Sequence, residues 1–401
     1  MDCTMIGYTV DNYEELSLEN ASLIEKLEAF SGKLCGICYM KDGYFGTNVS
    51  DPDKAYKRYH KVVPTGHTSF ADHVHITLLF EGIPKMMAMI LNSLGFYTTS
   101  EKSARYTIMS ASGKNKELYD KWLEIFKDRI DKEYPDMDKF DDKLRTKLAQ
   151  ENARYMLSVF EPCVTMGYTT SMRQFTYIKE WCKDYVLTCR RDTEFDNLVC
   201  DCVRKLHDLI PDEIISDVLV DNKYRSFDFL ANQVRFNIYD ATESYDDAYL
   251  IKYQASFADL AQEQRHRTIR YYMCYDGDKF DWYVPKIIAY DAKLTDMWKR
   301  DLDSIKDTYP VATKVDIVET GLIQYFMLKC DERLCGRVQL ETMDTITQNL
   351  LKFARSWTKS PFTISQLERH IKDGKLIMKC GNITCKEPCY FGPLKAQTRL
   401  V

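Results

Sequence analysis

Ser100-Glu101-Lys102-Ser103-Ala104-Arg105-Tyr106 is the stretch on which the reading of this chain turns. In an extended backbone successive side chains point to opposite faces, so Glu101, Ser103 and Arg105 share one face. That face presents a carboxylate, a hydroxyl and a forked cation, a set suited to the base edge, sugar and phosphate of a nucleotide. A solvated polar strand edge is the other reading of the same residues.

Strand-like runs rich in β-branched or aromatic residues lie at 75–80, 106–109, 315–318 and 323–328. Apolar residues recur at helical spacing in 116–134, where Leu118, Trp122, Ile125 and Phe126 form one stripe. Similar stripes run through 172–187, 195–210, 294–305 and 343–353. The expected class is therefore α+β, a mixed sheet with long helices and no regular βαβ alternation. Each half repeats one coarse order over 67–209 and 248–353: strand, helix, polar motif, long helices, then strand and helix.

The bulk properties exclude several function classes. A chain of 401 residues has room for two domains. Its 45% hydrophobic and 29% charged composition is ordinary for a globular protein, and its 16 glycines and 11 prolines mark no obvious linker. A net charge of −5 gives no global attraction to nucleic acid or an anionic membrane, so anions must be held by local arginine clusters. No apolar run reaches the ~18 residues needed to cross a bilayer. The first residues do not read as a secretory signal, and 14 cysteines without one suggest reduced thiols. The expected location is the cytoplasm, of a cell or of a host that a virus has infected.

Three further motifs carry candidate chemistry. Gly66-His67-Thr68-Ser69-Phe70-Ala71-Asp72-His73 places two histidines, hydroxyls and an acid before the 75–80 strand, a set able to hold a cofactor or shuttle protons. Structural histidines are the alternative. Gln262-Glu263-Gln264-Arg265-His266-Arg267 is the most concentrated cationic spot. On a helix Arg265 and Arg267 diverge and would serve two ligands, or one ligand and a partner subunit; a solvated basic turn is the alternative. Ala149-Gln150-Glu151-Asn152-Ala153-Arg154 and Ser171-Met172-Arg173 add arginines near helix ends, suited to phosphate or to surface ion pairs. Glycine-rich dinucleotide and phosphate loops and the Gly-x-Ser-x-Gly elbow are missing. Cys163 lacks the basic surroundings of a nucleophilic thiolate.

Together these segments resemble the flavin-dependent thymidylate synthases, whose signature reads RHRxxSxNExSxRY. In the first half, residues 66–73, the 75–80 strand and Glu101-x-Ser103-x-Arg105-Tyr106 fall in the family's order, but Ser93-Leu94-Gly95 occupies the Arg-His-Arg slot and Ser100 the asparagine slot. Asn152-Ala153-Arg154 and Ser171-Met172-Arg173 resemble later family segments. In the second half Arg265-His266-Arg267 is kept, while Met273, Tyr275 and Gly277 fill the Glu, Ser and Arg slots. Arg337-Val338-Gln339-Leu340-Glu341 resembles the family's Arg…Ala-Gln-x-Glu run.

The resemblance, over residues 30–355, implies two tandem copies with complementary losses and about one complete residue set per chain. The implied domains are 1–215, a degenerate copy at 216–358 and a cysteine-containing tail at 359–401. A homodimer would supply the four domains of the family's tetramer. The implied reaction transfers a one-carbon unit from methylenetetrahydrofolate to the five-position of dUMP, with FAD and NADPH. Glu101, Ser103, Arg105 and His266 are the implied catalytic residues. The pyrimidine deoxynucleotide is assigned Glu101, Ser103, Arg105, Tyr106, Arg154 and Gln264. The flavin or folate is assigned His67, Ser69, His73, Arg173, Arg265 and Arg267. A hydroxymethyl product and a non-catalytic nucleotide-binding protein are the alternatives. Membrane and nucleic-acid partners are not expected. Cys330, Cys335, Cys380, Cys385 and Cys389 could supply four ligands to a structural zinc, against free thiols or a redox pair.

Overall fold

The computed structural model describes all residues except 12–20, 42, 94–95, 106, 108, 110, 136–140, 220–227, 231–241, 246–247, 357–360, 382–384, 386–389 and 392–395. The first half runs β1 (Asp2–Tyr8), α1 (Leu23–Tyr39), α2 (Thr47–Ser50), α3 (Pro52–Val62), β2 (His75–Pro84), α4 (Lys85–Leu91) and β3 (Thr98–Glu101). It continues through α5 (Gly113–Glu133), α6 (Asp142–Ala153), β4 (Pro162–Ser171), α7 (Met172–Thr188) and α8 (Glu194–Leu209). The second half runs β5 (Thr242–Tyr245), β6 (Ala248–Ser256), α9 (Phe257–Glu263), β7 (Arg270–Cys274), α10 (Lys286–Ala289) and α11 (Ala292–Asp303). It ends with β8 (Lys314–Leu322), α12 (Ile323–Arg333), α13 (Leu340–Ser356), α14 (Pro361–Leu367) and a small hairpin, β9 (Ile371–Lys372) and β10 (Lys375–Leu376). Among the described residues no helix is long and apolar enough to cross a membrane.

The first sheet has the order β1-β2-β4-β3 and the second β5-β6-β8-β7, antiparallel throughout. The connectivity also repeats. Among the described residues a helix follows the second strand of each sheet directly, two helices join its third strand to its fourth, and at least two more follow the fourth. Alternation makes the strands: Ile76, Leu78 and Phe80 on β2 and Val164, Met166 and Tyr168 on β4 are buried, with more exposed residues between them. Capping makes the helix starts: Ser171 ends β4 and accepts from the Gln174 N–H at 3.1 Å, and Ser22 and Glu25 close a capping box on α1.

The expected helices at 116–134, 172–187, 195–210, 294–305 and 343–353 all form, as α5, α7, α8, α11 and α13. Two expected strands do not. Residues 323–328 open helix α12, because Ile323, Phe326, Met327 and Cys330 are buried at helical spacing, a period that a six-residue apolar window is too short to reveal. For 106–109, Thr107 and Met109 lie outside any strand, while Tyr106 and Ile108 lie outside the described residues. The strand is instead the polar run β3, paired from Thr98↔Thr169 to Glu101↔Met166. After it the Thr107 N–H and hydroxyl donate to the Ser103 carbonyl at 3.0 and 2.8 Å. This turn ends the alternation expected to align Glu101, Ser103 and Arg105.

Packing groups the chain differently from 1–215 and 216–358. One compact unit holds Met1–Ala88, Phe96–Lys102 and Pro162–Phe227; the other holds Met89–Gly95, Ser103–Glu161 and Asp228–Val401. Helix α5 belongs to the second unit because Trp122 packs edge-on against Trp298 of α11, with ring centroids 4.7 Å apart, and donates to Asp301 at 2.8 Å. Residues 359–401 join it too, through contacts such as the Lys379 N–H to the Leu334 carbonyl at 2.8 Å.

A charged network lies in the core of that unit. The fully buried Lys329 ammonium contacts Glu263 and lies 2.8 Å from Glu319. Tyr249 and Tyr253 donate to Glu319 at 2.6 and 3.0 Å, and Tyr271 donates to Glu263 at 3.5 Å. One cation cannot balance two dry carboxylates, and burial pushes Glu263 up to about 8 against the pull of Lys329. Asp259, one turn earlier on α9, is pushed up to about 7 by burial and by Glu341. Folded Glu263 therefore holds a proton that the unfolded chain releases near pH 4.5. Its contribution to stability is fully present below that pH and declines as pH rises toward 8. Denaturant unfolding should show stability falling from pH 5 to pH 8, with a shallower fall in Glu263→Gln. Lys329→Met, which strands the carboxylates, should cost about 3–5 kcal/mol.

Candidate functional site

The site is built where α6 ends and α13 begins, within the second unit. Helix α6 closes on Arg154, which places Glu151 and Arg154 three residues apart on one face. Gln339 stands just before α13 and Glu341 in its first turn, where the helix dipole favours a carboxylate. Arg154 Nη2 donates to Gln339 Oε1, and Gln339 Nε2 donates to the Tyr155 hydroxyl. Tyr155 in turn donates to Glu341 at 2.5 Å. The Ser256 hydroxyl and N–H donate to the same carboxylate at 2.7 and 2.9 Å. All five residues are buried, and Arg154 Nε has no hydrogen-bond partner among the described residues. Burial lowers the Arg154 pKa from its ordinary value, although an arginine retains its charge at neutral pH.

Arg105 and Arg399 bring two more guanidinium groups. Arg105 Nε donates to Glu151 at 2.7 Å and its Nη2 to the Arg337 carbonyl at 2.8 Å. Arg399, 3% exposed, donates from Nη1 to the Gly336 carbonyl at 2.7 Å and from Nη2 to the Val338 carbonyl. Arg105 and Glu151 are electrostatic neighbours of both Arg154 and Arg399. Glu151 and Glu341 lie among these guanidinium groups, Asp344 is a further carboxylate neighbour of Arg399, and burial pushes Glu341 toward its neutral form. The Arg337 side chain is exposed, its guanidinium 5.7 Å from the Tyr390 ring. Guanidinium groups gathered around a backbone turn are of the type that binds a phosphate-like anion.

The other nucleotide candidates are distributed. Glu101 ends β3 in the first unit, its side chain 3% exposed and paired with Lys85 at 2.5 Å. Ser103 accepts from the Arg105 N–H at 3.3 Å. Tyr106 lies outside the described residues. Buried Gln264 donates to the Met89 carbonyl at 3.2 Å. The Arg-His-Arg triplet lies on a turn, because α9 stops at Glu263 and the chain turns before β7. On that turn Arg265 is half-buried and Arg267 exposed. His266 Nε2 accepts from Arg333 Nε at 2.8 Å. Burial, reinforced by the Arg333 charge, pushes His266 down to about 3, so it is neutral throughout the physiological range.

The first unit gathers part of the cofactor set. Arg173 donates to Asp72 at 2.5 Å and to the Tyr177 hydroxyl at 3.1 Å, and Ser171 donates to the other Asp72 oxygen at 2.8 Å. Asp72 thereby ties Arg173 to the short 3-10 turn Ser69–His73, on which Ser69 and His73 are exposed. His67, also exposed, has Nδ1 2.8 Å from the Tyr39 hydroxyl.

Of the five tail-region thiols, Cys330 and Cys335 are buried and Cys380 and Cys385 half-buried, while Cys389 lies outside the described residues. Burial raises the Cys330 pKa well above the ordinary thiol value. Among the described residues no group of three His, Cys, Asp or Glu side chains is arranged to hold a metal.

Sequence reasoning missed Arg399, Glu151, Tyr155 and Lys85. Glu151 and Arg154 sit in one quoted segment, and their three-residue spacing was a usable signal. Nothing local marks Arg399.

Residues 24–178 match the family model described as thymidylate synthase complementing protein. No curated protein matches the chain. Among solved structures, thymidylate synthase X from Helicobacter pylori with FAD and dUMP is similar at 17% identity and a TM-score of 0.29, over 55% of this chain and 99% of that one. A second structure, flavin-dependent thymidylate synthase from the same organism complexed with FAD and dUMP, gives 13% identity and a TM-score of 0.28, over 54% and 100%. Residues 24–178 are thus similar to the thymidylate synthase complementing protein family.

Proposed function

We propose that the chain is a flavin-dependent thymidylate synthase-like enzyme, made of two tandem copies and acting on dUMP. The observation that carries this reading is the meeting of Arg105 and Arg154, from the half matched by the family model or directly following its signature, with Gln339 and the Arg337 carbonyl of the second half. Two partial residue sets thereby form one anion-binding cluster. The repeated strand order supports the tandem reading. A homodimer acting in the cytoplasm is the assembly that this reading carries with it.

In this reading Arg105 and Arg154 hold the nucleotide phosphate. Glu341, fixed by Ser256 and Tyr155, keeps Gln339 in place beside Arg154. The donor set on the first unit fits a flavin dinucleotide: exposed His67, Ser69 and His73 suit its polar edges, and Arg173, fixed by Asp72, suits its pyrophosphate. FAD would supply the redox chemistry, with NADPH as reductant and methylenetetrahydrofolate as carbon donor. The protein's own part is orientation and electrostatics, in keeping with thiols such as Cys330 and Cys182 that burial raises well away from reactivity.

Purified protein should carry or take up FAD, seen as yellow absorbance. With dUMP, methylenetetrahydrofolate and NADPH it should yield the methylated nucleotide by mass spectrometry; a colourless protein that refuses added FAD would sink the proposal. A hydroxymethyl product would redirect it. Nucleotide binding without turnover would favour the non-catalytic reading, for which the neutral, Arg333-bound His266 is the specific observation. Arg105→Ala should weaken dUMP binding about 10–100-fold, the scale of one charge-assisted hydrogen bond. Arg105→Lys should recover little, since a lysine cannot reproduce the fork that spans Glu151 and the Arg337 carbonyl.

A further inference from the structure

The connection between α7 and α8 brings two cysteines together, outside the candidate site. Cys189 closes the last turn of α7, its N–H donating to the Tyr185 carbonyl at 2.7 Å, and Cys200 lies on α8. Their Sγ atoms stand 2.7 Å apart, and both are free thiols. The connection is held at its other end too, since Thr193 and Asp196 close the capping box that starts α8. Arg191, exposed between the two helices, donates from Nη2 to Cys200 Sγ at 3.1 Å and is an electrostatic neighbour of Cys189. The two thiols differ in access: Cys189 is half-buried and Cys200 buried. Burial and Cys189 raise the Cys200 thiol to about 11, and Arg191 and Arg204 pull against that rise. Cys182 and Cys202 are also neighbours across the same two helices. Both are buried, and burial raises the Cys182 thiol and pushes Cys202 up to about 12, so that pair is shielded from an oxidant.

We propose that Cys189 and Cys200 form a reversible disulfide, with Cys189 meeting the oxidant and Cys200 closing the bond. The oxidant class is a low-molecular-weight disulfide, RSSR. The Cys189 sulfur, having lost its proton, attacks one sulfur of RSSR, forms a mixed disulfide and expels RS−. Cys200 then gives up its own proton, attacks the Cys189 sulfur and expels the second RS−. The two cysteines lose two electrons and two protons, and RSSR is reduced to two RSH. Arg191 is the positioning residue: its guanidinium favours the anionic form of Cys200 and holds that sulfur beside Cys189. The product ties α8 to the end of α7 across 11 positions of chain, and a thiol reductant reverses it.

The probe is oxidised glutathione, added in excess to the full chain; remaining thiols are then alkylated and the digest is read by mass spectrometry. Cys189 and Cys200 should leave the alkylated pool together, appear as one linked peptide pair with the bond placed by fragmentation, and return on adding dithiothreitol. In Cys200→Ala, Cys189 should stay trapped as its glutathione adduct, while Cys202→Ala should leave the linked pair unchanged. Arg191→Ala should slow closure of the mixed disulfide about fivefold or more. Arg191→Lys should recover part of that rate, a rescue that packing alone would not give. The proposal is overturned if both thiols stay open to alkylation, if the parent chain stops at the glutathione adduct of Cys189, or if Cys189 links to Cys202 instead. An unchanged closure rate in Arg191→Ala overturns the role of Arg191, while a linked pair still upholds the disulfide. The bond assignment in the parent chain needs no substitution, so it decides the matter even where a cysteine variant fails to fold.

Discussion

The buried guanidinium of Arg154 is the constraint to which the rest of the candidate site answers. A cation nine-tenths out of water must find acceptors and compensating charge nearby, or its burial destabilises the fold. Gln339 supplies the acceptor and Glu151 the charge, with Glu341 held beside them. Those three are in turn held by Tyr155, Ser256 and Arg105. One desolvated charge thus sets the position of α6's last turn, the 336–339 turn and the start of α13 together.

The Lys329 network solves the same problem in the opposite sense. There a single cation sits among carboxylates, and the excess is negative and relieved by a retained proton on Glu263. Around Arg154 and Arg399 the cations are arginines, with Glu151, Glu341 and Asp344 among them, and arginine cannot lose a proton near neutrality. A polar core that can titrate is self-sufficient. A cluster of arginines that cannot titrate is suited to an anionic ligand, and this contrast separates the structural network from the candidate site within one compact unit.

Much of the secondary structure was legible. Long helices such as α5 and α7 show their period because each presents several turns of buried residues to a neighbour. Short segments misled for physical reasons: 323–328 spans under two helical turns, and its aliphatic and aromatic residues suit a strand equally well. The face shared by Glu101, Ser103 and Arg105 depended on a strand continuing to Tyr106. The hydrogen bonds from Thr107 to Ser103 close a turn instead, a choice that no residue type in 100–106 announces.

The amino-acid sequence by itself determined the α+β class, the repeated order of elements, most helix positions and the family likeness of residues 24–178, because each is written in local period or in contiguous motif. It also singled out Arg105 and Arg154. Tertiary structure alone decided their company: Arg105 meets a carbonyl 232 residues away, and Arg399 closes on carbonyls 61 and 63 residues before it. Such pairings follow from desolvation and from backbone acceptors. Every residue carries the same carbonyl, so the sequence holds no mark of which one a buried guanidinium will find.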